Sequence, residues 1–153
     1  MRDAQPTTIY LKDYKAPAYL IDKTDLRFEL GEDVTQVHSK LTMRKNPERM
    51  GEGDHALVLD GIELTLVELA IDGEALSAME YFTDTESLTI NKDLPDQFVF
   101  ECTTEIKPQE NTSLEGLYKS SGMYCTQCEA EGFRKITNYL DRPDVISVFS
   151  TQV

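Results

Sequence analysis

The chain has 153 residues, with 28 acids against 15 Lys and Arg and a formal net charge of −13. That length suits one domain with a real core. The acidic balance argues against nucleic acid or an anionic membrane as partner, since both need clustered Lys and Arg, while leaving room for cationic ligands.

The first ~115 residues read as β-structure. Leu26, Phe28 and Leu30 alternate with Arg27 and Glu29, Gly31-Glu32-Asp33 turns, and Val37, Leu41 and Met43 carry a return strand. Asn46-Pro47 through Gly51-Glu52-Gly53-Asp54 is a polar loop. Leu57 and Leu59 follow, then an Asp60-Gly61 turn. Ile62, Leu64 and Leu66 alternate until the phase flips to Val67, Leu69 and Ile71, which predicts a bulge or a change of face. Asp72-Gly73 is a hairpin signal. Tyr81, Leu88 and Ile90 mark two short strands, and Phe98, Phe100, Cys102, Thr104 and Ile106 form one face of a long one that Pro108 ends.

Beyond Asn111 the pattern changes. Leu114 to Tyr118 resembles a strand leading into Cys125-Thr126-Gln127-Cys128. Phe133, Ile136 and Leu140 have helical spacing, which predicts a short helix with Glu129 and Glu131 near its positive end and Pro143 after it. Val145, Ile146, Val148 and Phe149 begin a last strand. The expected fold is mainly β: one domain over 1–153, an antiparallel sandwich or saddle-shaped sheet with that short helix near its C-terminal end. The chain stops at Val153 inside the last strand, which reads as truncation of something longer. No apolar run approaches the ~20 residues of a membrane span. Met1 to Pro6 lacks the apolar core of a signal peptide, so the expected compartment is the cytoplasm.

Three cysteines, odd in number and sparse, do not form a secreted disulfide scaffold. A structural zinc needs four ligands, and the chain offers only Cys102, Cys125, Cys128, His38 and His55, with no second C-x-x-C and no H-x-x-x-H. A thioredoxin-type pair needs a βαβ setting that is lacking. His38 and His55 read as ordinary surface histidines. Glu129 and Glu131 could be an acid–base pair, but no His, paired Asp or nucleophile adjoins them. Asp141, Arg142 and Asp144 read as a salt-bridged turn. A carboxylate such as Glu129 could also anchor a cationic group. H-E-x-x-H, G-x-S-x-G, the P-loop and G-x-G-x-x-G are all absent.

Four stretches, in order and spanning nearly the whole chain, carry a resemblance. They are Asp13-Tyr14-Lys15-Ala16-Pro17-Ala18-Tyr19, Leu114-Glu115-Gly116-Leu117-Tyr118, Cys125 to Arg134, and Tyr139-Leu140-Asp141-Arg142-Pro143-Asp144-Val145. Together they resemble the bacterial aminopeptidase N family of gluzincin zinc metallo-aminopeptidases. An epoxide-hydrolase branch shares the Q-x-E pattern, but the flanking matches favour the peptidase branch. The resemblance implies the saddle-like N-terminal β-domain of such an enzyme, docked on a catalytic domain of the same chain. It implies that Glu129 binds the free α-amine of a peptide and that Gln127 lines the pocket for its first side chain. Glu131, Phe133 and Arg134 would support the loop. The family's zinc ligands and catalytic Glu are not in this sequence, so no catalytic or metal-ligating residue is expected here and zinc would bind outside it. The isolated piece is then expected to be inactive. A stand-alone β-sandwich that docks on a partner without catalysis is the alternative.

Overall fold

The computed structural model describes residues 8, 10–49 and 56–153. Met1 to Pro6, the Gly51 to Asp54 part of the polar loop, and His55 lie outside the described residues. Alternation of apolar and polar residues builds most of the elements. β1 (Tyr19–Glu29), β2 (Thr35–Lys45) and β8 (Gln97–Ile106) are long antiparallel neighbours, with β4 (Thr65–Ile71) and the two-residue β5 (Glu74–Ala75) beyond β8. Between them, β3 (Leu57–Asp60), β6 (Tyr81–Thr83) and β7 (Ser87–Ile90) form a separate three-stranded sheet in the order β3-β7-β6. β9 (Gly116–Ser120) and β10 (Met123–Gln127) make a hairpin. β11 (Val148–Gln152) completes the large sheet, whose order is β11-β1-β2-β8-β4-β5.

The inner face of the large sheet packs on the small one. Ile21, Leu41, Met43, Leu69, Ile71, Phe98, Phe100 and Cys102 meet Leu57, Leu59, Leu88 and Ile90 in one buried cluster. Each such side chain taken from water contributes roughly 1.5–3 kcal/mol, so this layer is the main source of stability. The chain is thus mainly β and sandwich-like. The phase flip around Val67 is a bulge, because the β4–β8 register shifts between Leu66 and Glu68. Asp72 and Gly73 form the expected two-residue turn, with φ of 51° and 80°. Asp72 also accepts a hydrogen bond from Val99 N at 2.7 Å, which ties that turn to β8.

Three expectations change. Ile62 and Leu64 precede β4 in a turn where Glu63 has φ 58°, so the strand starts later than its apolar residues suggest. β11 runs parallel to β1, and Val145 and Ile146 precede it. The predicted short helix is a single 3₁₀ turn, Phe133–Lys135. Phe133, Ile136 and Leu140 are indeed turned inward, but toward different neighbours. Ile136 joins a second cluster with Val37, Ile106 and Leu117, and Leu140 joins the main core. Tyr139 leaves the helical path to exchange two backbone hydrogen bonds with Asp60, at 2.8 and 3.0 Å. So short a turn carries no appreciable helix dipole for Glu129 and Glu131. Among the described residues no helix is long and apolar enough to cross a membrane.

Candidate functional site

The β9–β10 hairpin turns through Ser121 and Gly122, both at positive φ, and pairs Gln127 with Gly116 at its open end. Its inner side chains, Leu117 and Tyr124, rest against Val37, Ile106 and Ile136, and Tyr124 Oη donates to Gly31 O at 3.1 Å. The hairpin is therefore fixed to the sheet, and β10 delivers the chain to Gln127 in a defined place.

A closed loop follows. Gly132 N donates to Cys128 O at 2.9 Å, which makes one five-residue turn of Cys128–Gly132 with Glu129 and Ala130 at its tip. The loop fits only because residue 132 is glycine. A Cβ there would collide with the Gln127 carbonyl and stand 3.0 Å from Cys128 Cα and 3.1 Å from Gly116 N. The peptide bond between Glu129 and Ala130 is cis. Gln127 Nε2 donates to the Glu129 carbonyl at 3.3 Å, so these two residues are neighbours. Both are exposed, and among the described residues no donor or cation reaches the Glu129 carboxylate.

Below the tip the chain is tightly held. Arg134 Nε and backbone N both donate to Asp141 Oδ2 at 3.1 Å, and its Nη2 donates to the Asp141 carbonyl at 3.1 Å. Nη1 lies 3.7 Å from Asp60 Oδ1 and Nη2 lies 3.5 Å from Glu131 Oε1. Asp60 in turn accepts from Asp141 N at 3.0 Å. Burial raises the Asp60 pKa, against the Asp141 N–H and the Arg134 charge, which pull it down. For Arg134, burial disfavours the charge, yet the Asp141 hydrogen bond and the surrounding carboxylates hold its pKa above the ordinary value. Lys135, with only 13% of its side chain exposed, reaches Ser113 Oγ at 3.0 Å and the Glu115 and Glu63 carboxylates at 3.1 and 3.6 Å.

The structure therefore brings Gln127, Glu129, Glu131 and Arg134 together. The expected Arg142–Asp144 bridge is present at 2.7 Å, but Asp141 pairs with Arg134 instead. Asp60 and Lys135 escape sequence reasoning, since their partners lie far along the chain. The i, i+3 spacing of Glu131 and Arg134 is the one local signal. His38 sits half-buried on β2, with Nδ1 3.0 Å from Thr103 Oγ1 and Nε2 3.3 Å from Glu29, well apart in sequence and sheet from the loop. The cysteines are free. Burial pushes the Cys102 thiol up to about 12, and burial together with the Asp141 charge raises Cys128. Both environments disfavour the reactive thiolate. Zinc does not fit these residues: among the described ones no three His, Cys, Asp or Glu side chains converge to hold a metal.

Comparison with known proteins gives one answer. Residues 19–153 match the Peptidase M1 N-terminal domain. The chain is 46% identical over 153 residues to Aminopeptidase N of Caulobacter vibrioides, covering all of this chain and 17% of that protein. It is 43% identical over 149 residues to Aminopeptidase N of Escherichia coli, covering 97% of this chain and 16% of that protein. The crystal structure of Legionella pneumophila aminopeptidase A in complex with aspartic acid superimposes with a TM-score of 0.83 at 32% identity, over 92% of this chain and 16% of that one. Native leukotriene A4 hydrolase of Saccharomyces cerevisiae shares the fold, with a TM-score of 0.70 at 19% identity. This chain spans no more than 17% of the length of these bacterial relatives. It belongs to the Peptidase M1 N-terminal domain family.

Proposed function

We propose that the chain is the N-terminal domain of a zinc aminopeptidase that removes single residues from peptide N-termini in the cytoplasm. Its partner is a catalytic domain of the same chain, which holds the zinc. Glu129 anchors the α-ammonium of the substrate, and Gln127 lines the pocket for the first side chain. The observation that carries this reading is the state of the Glu129 carboxylate, which is presented on a closed loop with no partner among the described residues. A carboxylate already committed to the fold could not take an ammonium without losing something. This one can form a charge-assisted bond at little cost. Gln127 is fixed beside it through the 3.3 Å bond to the Glu129 carbonyl.

The recognition logic follows from charge. A free N-terminus offers a cation with three donors, whereas an acylated one offers a neutral amide. Closing the cleft over Glu129 without a cation leaves a buried charge unpaired, which costs roughly 2–5 kcal/mol. The anchor thereby admits peptide ends and refuses internal bonds.

Hydrolysis of alanyl anilide and of its N-acetyl form by the full-length enzyme tests this, with wild type and Glu129→Ala compared. Wild type is expected to cleave only the free amine. Glu129→Ala is expected to lose on the order of 10²–10³ in kcat/KM, about 3–4 kcal/mol. A variant as active as wild type overturns the assignment of Glu129.

A further inference from the structure

We propose that the outer face of the three-stranded sheet, with the groove that joins it to the Cys128–Gly132 loop, is the surface on which the catalytic domain of the same chain docks. This rests on the reading above that the chain is one domain of a longer enzyme. Leu57, Leu59, Leu88 and Ile90 point into the core, so the residues between them point out. In register across that outer face stand Val58, Thr89 and Phe82. Val58 is 47% exposed and Phe82 58%, two large apolar side chains about 10 Å apart on one small sheet. Asp60, two residues past Val58, continues the face into a groove of about 470 Å³ that Pro17, Glu131, Arg134 and Pro143 also line. Glu131 is two residues past Glu129, so this surface borders the loop.

The outer face of the large sheet is built differently. Lys23 pairs with Asp25 and Arg27 with Glu29, each at 2.8 Å, Lys40 pairs with Glu101 at 3.4 Å, and Gln36 Nε2 donates to Glu105 at 2.9 Å. Covering that face would strip water from its charges, whereas covering Val58 and Phe82 removes apolar surface from water. The groove also selects the charge of what covers it. Asp60, Glu131 and Asp141 share one guanidinium, that of Arg134, because Arg142 is held by Asp144 at 2.7 Å and by the Lys15 carbonyl. Asp60 and Glu131 lie 3.7 and 3.5 Å from Arg134, beyond hydrogen-bond length, so each keeps an oxygen for a second cation. The docked surface therefore brings apolar side chains over Val58 and Phe82 and a Lys or Arg over Glu131.

The test is maleimide labelling of cysteine variants of the full-length enzyme, read at the introduced residue by peptide mass. Val58→Cys and Phe82→Cys are expected to react at least about tenfold slower than Thr42→Cys, which is exposed on the outer face of the large sheet. Adding Glu131→Gln is expected to speed the labelling of Val58→Cys about threefold and to leave Thr42→Cys unchanged. Labelling of Val58→Cys and Phe82→Cys as fast as Thr42→Cys overturns the proposal, as does equal protection at all three. Protection that disappears on a roughly hundredfold dilution assigns the face to a second copy of the chain and also overturns it. An unchanged rate on adding Glu131→Gln overturns the cationic contact. Turnover by Glu129→Ala is measured beside these. Activity equal to wild type removes the amine anchor, whereas free labelling of Val58→Cys alongside a Glu129→Ala defect removes only the docking face.

Discussion

Glu129 and Asp141 flank the same 3₁₀ turn and carry the same functional group, yet the fold treats them in opposite ways. Asp141 is 12% exposed and accepts both the backbone and side-chain N–H groups of Arg134. Glu129 is exposed, and its carboxylate takes no bond from the described residues. A carboxylate whose lone pairs are filled by its own chain contributes to folding and has nothing left for a ligand. One whose oxygens take no bond from its own chain contributes little to folding and keeps its full capacity. Fixing position through the main chain, by the Cys128–Gly132 bond and the glycine close approach, leaves the side chain free.

The largest effect is expected at the committed end. Asp141→Ala removes two acceptor contacts and leaves the Arg134 guanidinium mostly enclosed, with Glu131 at 3.5 Å and Asp60 at 3.7 Å as its remaining carboxylate partners. Losing one member of a shielded ion pair while stranding a backbone N–H costs about 2–4 kcal/mol. Urea unfolding should show the midpoint falling accordingly with an unchanged slope. A loss under about 0.5 kcal/mol, the range of ordinary surface changes, would erase the contrast with Glu129.

That contrast was only half legible in the sequence. Local features were readable because they depend on near neighbours. The Asp72-Gly73 hairpin, the bulge at Val67 and the inward row from Phe98 to Ile106 all follow from turn chemistry and a period of two. The Ser121-Gly122 turn carried a similar signal, although the segment reads more readily as one strand entering the C-x-x-C. What failed was non-local. Phe133, Ile136 and Leu140 mimic a helix face, but Tyr139 gains two backbone bonds from Asp60, 79 residues earlier by number, and no period announces that. The parallel pairing of β11 with β1 likewise depends on strands at opposite ends of the chain. For the site, Gln127 and Glu129 stood out through the family resemblance. Asp141 was misassigned to its sequence neighbour Arg142, because its true partner comes from across the turn.

Glu80 sharpens the comparison by separating solvent contact from availability. It lies at the surface, yet it accepts from Ser77 N and Ser77 Oγ, each at 2.9 Å, and from Lys92 at 3.1 Å. These donors, the Ser77 N–H first, lower its pKa from 4.5 to about 2. A carboxylate with a depressed folded pKa stabilises the fold above its unfolded pKa, and that contribution is lost as pH falls toward the folded one. Thermal unfolding of wild type should therefore lose more between pH 4.5 and about 2 than that of Glu80→Gln. Asp60, whose pKa burial raises, acts with the opposite sign, so the difference between the two proteins isolates Glu80. Parallel acid limbs would show that the Ser77 cage does not hold the charge in solution.

The smallest stability effect should fall at Glu129 itself, and its smallness is the informative part. Glu129→Ala removes no hydrogen bond or ion pair made by its carboxylate among the described residues, and the Gln127 bond is to the main-chain carbonyl, which alanine retains. Unfolding should stay within about 0.5 kcal/mol of wild type. The same substitution that is expected to cost orders of magnitude in kcat/KM would then cost the fold almost nothing. That pairing of outcomes marks a group kept for a ligand. If instead the variant unfolds as readily as Asp141→Ala, the Glu129 carboxylate has an internal partner in solution. The ammonium would then have to displace it, and the reason for treating Glu129 as a free anchor would be gone.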